Sequence, residues 1–231
     1  MKKQEQVHAG HRKRLRERFR TAGLESLADV NCLELILFYG VPRKDTNVMA
    51  HDLLERFGSF NNVLDAPVEA LMEIPGVTEN AATLLKLIPQ AARRYLIGQT
   101  QTTQILNGVR ETAEFLMPRF FGATTEQVYL LCMDAKRKAL DCRMVSEGGL
   151  NSADVSCRKL VRLALDANAS MVVLAHNHVS GLAIPSGADL ETTRIVWQAM
   201  DNVGVELVDH FIVADDECVS MRDSGYFQDF Y

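Results

Sequence analysis

The segment Ala175-His-Asn-His-Val-Ser-Gly-Leu-Ala-Ile-Pro-Ser-Gly-Ala-Asp189 gathers the residues best suited to chemistry. It follows the apolar run Ser170-Met-Val-Val-Leu-Ala175, which suits a strand buried on both faces. Side chains at i and i+2 of a strand point to the same side, so His176 and His178 at its end can aim two imidazoles at one point. The loop after them contains Gly181, Pro185 and Gly187 and can turn the chain back. Asp189 then brings a carboxylate in from the first turn of the next helix. Two neutral imidazoles and one carboxylate, with a fourth position left to water, describe a catalytic zinc site, whereas a structural zinc takes four protein ligands. The same residues have a plainer account. Ser186 and Asp189 also have the S-x-x-D spacing of a helix N-cap, and a His-x-His is often two polar residues at a strand end.

Such ligands need a strand, a loop and a helix in that order, and the surrounding sequence supplies them. Val109–Phe121 reads as a helix, and Gln127–Met133 and Ala139–Val145 read as strands joined by the turn Lys136-Arg137-Lys138. Helical spacing returns over Asp154–Ala167 and again over Leu190–Val203, and Val205–Ala214 is a final long strand. Strands interleaved with helices make residues 105–231 an α/β domain. Upstream, from Gly10 to about Leu96, the spacing is helical throughout, as in Leu33, Ile36, Leu37 and then Val48, Leu53, Leu54, Phe57. Gly23, Gly40-Val41-Pro42, Gly58-Ser59 and Pro75-Gly76 separate the pieces as turns do. The polar stretch Gly98–Gln104 reads as a linker, so residues 1–98 form a separate all-α domain.

The composition, 47% hydrophobic and 24% charged over 231 residues, is that of a globular protein. No apolar run reaches bilayer length and the basic N-terminus has no apolar stretch behind it, which points to a cytoplasmic protein without a membrane partner. Five scattered cysteines without a C-x-x-C pair argue for reduced thiols and against a cysteine zinc site. The net charge of −5 is unevenly spread. Lys2, Lys3, Arg12, Lys13, Arg14, Arg16, Arg18 and Arg20 stand against Glu5 and Glu17, an arm that can touch phosphates or simply be a solvated helix face or flexible tail.

The order H-x-H, loop, S-x-x-D is the JAMM pattern, and the fuller His-Asn-His-x-Ser-Gly-x-x-x-Pro-Ser-x-x-Asp resembles the RadC family. Val145-Ser-Glu-Gly-Gly-Leu-Asn-Ser152, Asp209-His-Phe-Ile-Val213, Arg14-Leu-Arg-Glu-Arg-Phe and Leu33-Glu-Leu-Ile-Leu37 extend the resemblance over nearly the whole chain. It implies a JAB/MPN-like α/β domain with a mixed sheet, of cytidine-deaminase-like architecture. It also implies zinc held by His176, His178 and Asp189, and hydrolysis of a peptide or isopeptide amide bond in a protein or peptide substrate. Two departures stand out: Val179 replaces the usual proline after the second histidine, and Gly148-Gly149 replaces Gly-Thr. The family also uses an upstream glutamate as base. Glu126, opening the first strand of the α/β domain, matches that position better than Glu147, and Ser186 occupies the position of the oxyanion donor.

Leu71-Met-Glu-Ile-Pro-Gly-Val-Thr-Glu-Asn-Ala-Ala-Thr-Leu-Leu85 resembles a helix-hairpin-helix, whose backbone N–H groups can meet a DNA phosphate. Thr78 stands where the second hairpin glycine usually lies, so the motif can equally serve packing alone. Arg93 and Arg94 follow it. The rival to a hydrolase is therefore a DNA-associated, repair-linked protein in which the zinc domain is a scaffold or acts on nucleic acid. A deaminase lacks its H-x-E and P-C-x-x-C signature here, and H-E-x-x-H zincin chemistry is excluded.

Overall fold

The computed structural model describes residues 2–42, 44–100, 104–148, 156–179 and 181–228, with side chains from Gly10 onward. The side chains of Lys2, Lys3 and Glu5, the run Gly149–Ser152, the helix start expected at Asp154 and Ser180 of the ligand loop therefore lie outside the described residues. The chain forms two compact units, Met1–Ala92 and Arg93–Tyr231.

The first unit is helical: α1 (Lys2–Ala22), α2 (Asp29–Gly40), α3 (Asn47–Phe57), α4 (Phe60–Asp65), α5 (Val68–Met72) and the start of α6 (Glu79–Gln99). Leu33, Leu37, Leu53, Leu71 and Leu85 are fully buried, which is the apolar stripe the helical spacing requires. Gly58 and Gly76 take φ of 88° and 89°, the left-handed region in which a Cβ is strained, and so end or turn the chain between helices. The basic stretch is helix α1 and not a loose tail. Leu15 on it is buried, and His11 Nε2 lies 3.0 Å from both oxygens of the buried Glu34. α6 continues through Gly98 and Gln99, so the stretch expected as a linker begins in helix; residues 101–103 lie outside the described residues.

The second unit holds α7 (Val109–Leu116), β1 (Gln127–Met133), β2 (Ala139–Glu147), α8 (Cys157–Asp166), β3 (Met171–Asn177), α9 (Gly187–Asp201), β4 (Glu206–Ala214) and β5 (Glu217–Ser220). The five strands lie in the order β2-β1-β3-β4-β5. Only β3 and β4 are parallel, with α9 between them in sequence, so the sheet is mixed as expected. Alternation sends Val128, Leu130, Val172, Leu174 and Ile212 to one face, under Leu160 of α8 and Val196 and Met200 of α9. Tyr129, Leu131, Val173, Ala175 and Phe211 fill the other face with Phe115 and Leu116 of α7.

Several boundaries differ from the sequence reading for local reasons. α7 stops at Leu116 because Pro118 can donate no helical hydrogen bond, and a 3-10 turn Met117–Arg119 replaces the expected extension to Phe121. α9 starts at Gly187 and not Leu190, because Ser186 caps it. β5 was not expected at all. The chain reverses at Asp215, whose φ of 49° is tolerated by an aspartate, and a four-residue strand pairs back on β4.

Candidate metal centre

The buried strand β3 ends at Asn177, with His176 inside it and only 1% exposed. His178 lies one residue beyond the strand, yet its N–H still bonds to Val213 O at 2.8 Å, so β4 holds it in line. Across the loop, Ser186 Oγ accepts from Asp189 N at 3.2 Å while Asp189 Oδ2 accepts from Ser186 N at 2.6 Å. That is a reciprocal capping box, so the plain account of S-x-x-D is correct as far as it goes. The same box aims the carboxylate. Asp189 Oδ1 sits 3.1 Å from His176 Nε2, Asp189 Oδ2 3.4 Å from His178 Nε2, and the two Nε2 atoms are 2.9 Å apart. Among the described residues these three side chains form a cluster that could hold a metal ion, their ligand atoms all within 4.8 Å of one another. Two imidazole nitrogens and one carboxylate fit a borderline-soft dication such as zinc.

Burial alone would raise the Asp189 carboxyl, but hydrogen bonds from His176 and Ser186 and the neighbouring His176 hold it well below the usual carboxylate range. Its oxygens are therefore anionic and available as ligands. The cysteines are the reverse case. Burial pushes the thiols of Cys132 and Cys218 up to about 12 and that of Cys142 to about 11, so none of these three offers a thiolate.

Groups behind the cluster set its orientation, and these were not singled out from the sequence. His178 Nδ1 lies 2.8 Å from Leu182 O, an acceptor only, so Nδ1 carries a proton and Nε2 is the nitrogen turned toward the cluster. His176 Nδ1 lies 2.8 Å from Nε2 of His210, which is fully buried. Burial, reinforced by His176, lowers His210 well below the ordinary imidazole value and keeps it neutral. The available signal was a histidine inside the apolar run Asp209-His-Phe-Ile-Val213.

Glu126 is half-buried just before β1 and is not part of the three-residue cluster. Val128 pairs with His176, so continuing that antiparallel register by two places sets Glu126 opposite His178, on the sheet face of Val128 and His176. Asn177 clamps the backbone on both sides of it, with Oδ1 accepting from Gln127 N at 2.7 Å and Nδ2 donating to Thr125 O at 3.1 Å. Glu147 is the last residue of β2 and pairs with Gln127. That pairing puts it on the opposite sheet face, where Oε1 accepts from Thr125 Oγ1 at 2.9 Å.

In the helical unit, Gly76 and Thr78 turn the chain between α5 and α6, the expected hairpin. Thr78 Oγ1 accepts from Ala81 N at 3.3 Å, so the side chain at the second-glycine position caps α6. Arg93, the first residue of the second unit, is engaged within that unit, bonding Gln127 Oε1 at 3.0 Å and Tyr129 OH.

An α/β domain with a mixed sheet and a His-x-His strand end facing a capped aspartate is a domain of the JAB type. Residues 106–226 match the RadC-like JAB domain, and residues 8–83 match the UPF0758 N-terminal region. The chain belongs to the RadC-like JAB family, whose domain is of the JAMM kind of metal-dependent hydrolase. It is similar to a UPF0758 protein of Ruegeria pomeroyi, 36% identical over 216 residues that cover 94% of this chain and 96% of the relative. It is also similar to a UPF0758 protein of Rhodobacter capsulatus, 35% identical over 211 residues, 91% and 99% of the two chains. Among the described residues no helix is long and apolar enough to cross a membrane.

Proposed function

We propose that this protein is a zinc-dependent hydrolase of peptide or isopeptide amide bonds, with His176, His178 and Asp189 holding the metal. The observation that carries this reading is the convergence of two Nε2 atoms and one carboxylate within 4.8 Å, on a buried strand end and a capped helix start. Zinc at such a site supplies enough Lewis acidity to bring the pKa of a water from about 16 to about 7. Glu126, on the cluster's side of the sheet and held by the Asn177 clamp, takes the proton of the attacking water and returns it to the leaving nitrogen. Ser186 Oγ spends a lone pair on Asp189 N, which leaves its O–H as a donor to the developing oxyanion, a contribution of roughly 3 kcal/mol.

The rival reading, a DNA-associated protein with the zinc domain as scaffold, draws on one observation: Lys13, Arg14, Arg16 and Arg20 are exposed along α1. The hairpin offers a phosphate less than a second glycine would, since Thr78 Oγ1 already takes Ala81 N.

Elemental analysis of the purified protein tests the site. We expect about one zinc per chain, lost in His178→Ala and in Asp189→Ala, since three protein ligands leave none to spare. Asp189→Ala also removes half of the capping box, so Asp189→Asn is the companion variant. Its amide oxygen can still accept from Ser186 N while the anionic ligand is gone. Full zinc occupancy in His178→Ala and Asp189→Asn would reject the assignment.

A further inference from the structure

β3 and β4 run parallel, with His176 beside Ile212 and Leu174 beside His210, so His176 and His210 share a sheet face one pleat apart. α9 packs on that face, and Thr193 stands one turn after Asp189 on the same side of the helix. Thr193 Oγ1 lies 2.6 Å from His210 Nδ1 and 2.5 Å from Asp189 O, with the thioether of Met221 at 3.8 Å. The result is a closed buried chain: from Asp189 O through the Thr193 hydroxyl and the His210 ring to His176 Nδ1. Thr193, His210 and Met221 are all buried, so no solvent can substitute for a missing partner.

We propose that Thr193 and His210 are positioning residues that hold His176 in the tautomer with a bare Nε2, and so set zinc affinity without touching the metal. The inference rests on the zinc reading above. For Nε2 of His176 to be a ligand, its ring proton must sit on Nδ1 and be accepted by His210 Nε2. The His210 proton then sits on Nδ1 and needs the Thr193 oxygen, whose own hydrogen goes to Asp189 O. The opposite order is equally continuous: Thr193 gives to His210 Nδ1, His210 Nε2 gives to His176 Nδ1, and His176 Nε2–H points at Asp189 Oδ1, 3.1 Å away. Only the first order leaves Nε2 free for a metal. The hydroxyl is thus an acceptor in the metal-binding order and a donor in the other. Losing it leaves a buried His210 N–H without an acceptor in the first and only a lone pair without a donor in the second. The orphaned N–H is the costlier, so zinc binding loses more.

The test compares Thr193→Val, which keeps the shape and loses the hydroxyl, with Thr193→Ser, which keeps the hydroxyl and loses a methyl. Zinc affinity is measured by competition with a chelator, and the His210 proton is located by the long-range nitrogen–proton pattern of the zinc-loaded full chain. We expect roughly a 10- to 100-fold loss of affinity in Thr193→Val, affinity near wild type in Thr193→Ser, and the His210 proton on Nδ1. A role in packing alone would reverse the order, since valine fills the site and serine does not. Serine weaker than valine, valine equal to wild type, or a proton on Nε2 of His210 would each overturn the relay while leaving the zinc site standing. Wild-type protein that takes up no zinc would overturn both.

Discussion

The candidate metal cluster and the helical unit both carry polar side chains on packed elements, and the fold uses them differently. In the cluster, each ring places one nitrogen against a partner behind it and turns the other toward the same point. His178 rests on Leu182 O, His176 on His210, and Asp189 on Ser186 N. In the helical unit several polar groups are taken up by their neighbours, although Lys13, Arg14, Arg16 and Arg20 stay exposed along α1. Arg12 bonds Val41 O at 3.3 Å and also Lys44 O, Arg18 bonds Ser26 O, Glu34 receives His11 and Asn47, and Thr78 caps α6. A motif becomes a candidate site when the fold satisfies one side of each residue and leaves the other sides facing one another. By that measure the cluster is a candidate ligand site, while Thr78 serves the cap of its own helix.

The largest expected effect breaks the comparison at Glu126. If the cluster is catalytic, Glu126→Gln keeps zinc and loses turnover by a factor of roughly 100 to 10,000, the worth of a positioned general base. The side chain retains its shape and loses only its capacity to take a proton. Glu147→Gln is the control: it sits on the opposite face, bonded to Thr125 and, at 3.4 Å, to Gln127, and should leave turnover close to wild type. The measurement is hydrolysis of a peptide or isopeptide panel alongside zinc content. Zinc loss from Glu126→Gln would make it a ligand, greater damage from Glu147→Gln would move the base there, and unchanged turnover with zinc retained would favour the scaffold.

Next in size is the hairpin glycine. Gly76 sits at φ +89°, and a Cβ added there would meet Met49 Cε at 2.9 Å. Gly76→Ala should cost about 1–2 kcal/mol, mostly from the left-handed backbone, because the methionine tip can swing away. Hydrogen exchange at the buried amides of Leu53 and Leu85 reads this locally as faster opening. Protection unchanged from wild type would mean the turn is not under that constraint, and the glycine would need another explanation, such as close approach of a partner.

The three candidate ligands could be picked out in the sequence because they are local. His176, His178 and Asp189 fall within one strand, one loop and one helix start, where periodicity and capping rules apply. His210 could not be read in the same way. It is 34 residues from His176 and meets it only through the parallel pairing of β3 with β4, which no spacing rule encodes. That Glu147 lies beside the start of β1 was hidden for a related reason. Counted along the chain it is the far end of a second strand, and folded into a hairpin it becomes the neighbour of Gln127. The strand β5 escaped because Glu217-Cys-Val-Ser220 is too short to show alternation. The fold class was legible because strand and helix texture alternate clearly after residue 105, and the apolar β1 and β3 runs admit few other readings.

The smallest effect sharpens what the ligand loop contributes. Val179, 54% exposed, stands where proline is usual after the second histidine, and the question is whether that residue orients the ligand. Two hydrogen bonds already hold His178: its N–H to Val213 O and its Nδ1 to Leu182 O, each at 2.8 Å. Neither involves residue 179. The bond from His178 N–H continues the β3–β4 ladder by one residue, which favours the extended backbone that a following proline demands. Val179→Pro should therefore leave zinc affinity unchanged and stabilise the protein by about 0.4–1 kcal/mol through a less free unfolded chain. That corresponds to a rise in Tm of roughly 1–4 °C. Calorimetry and a chelator titration on the same samples check both halves. A tenfold gain or loss in zinc affinity would show that the turn itself aims the second imidazole, and that Leu182 O and Val213 O do not suffice to hold it.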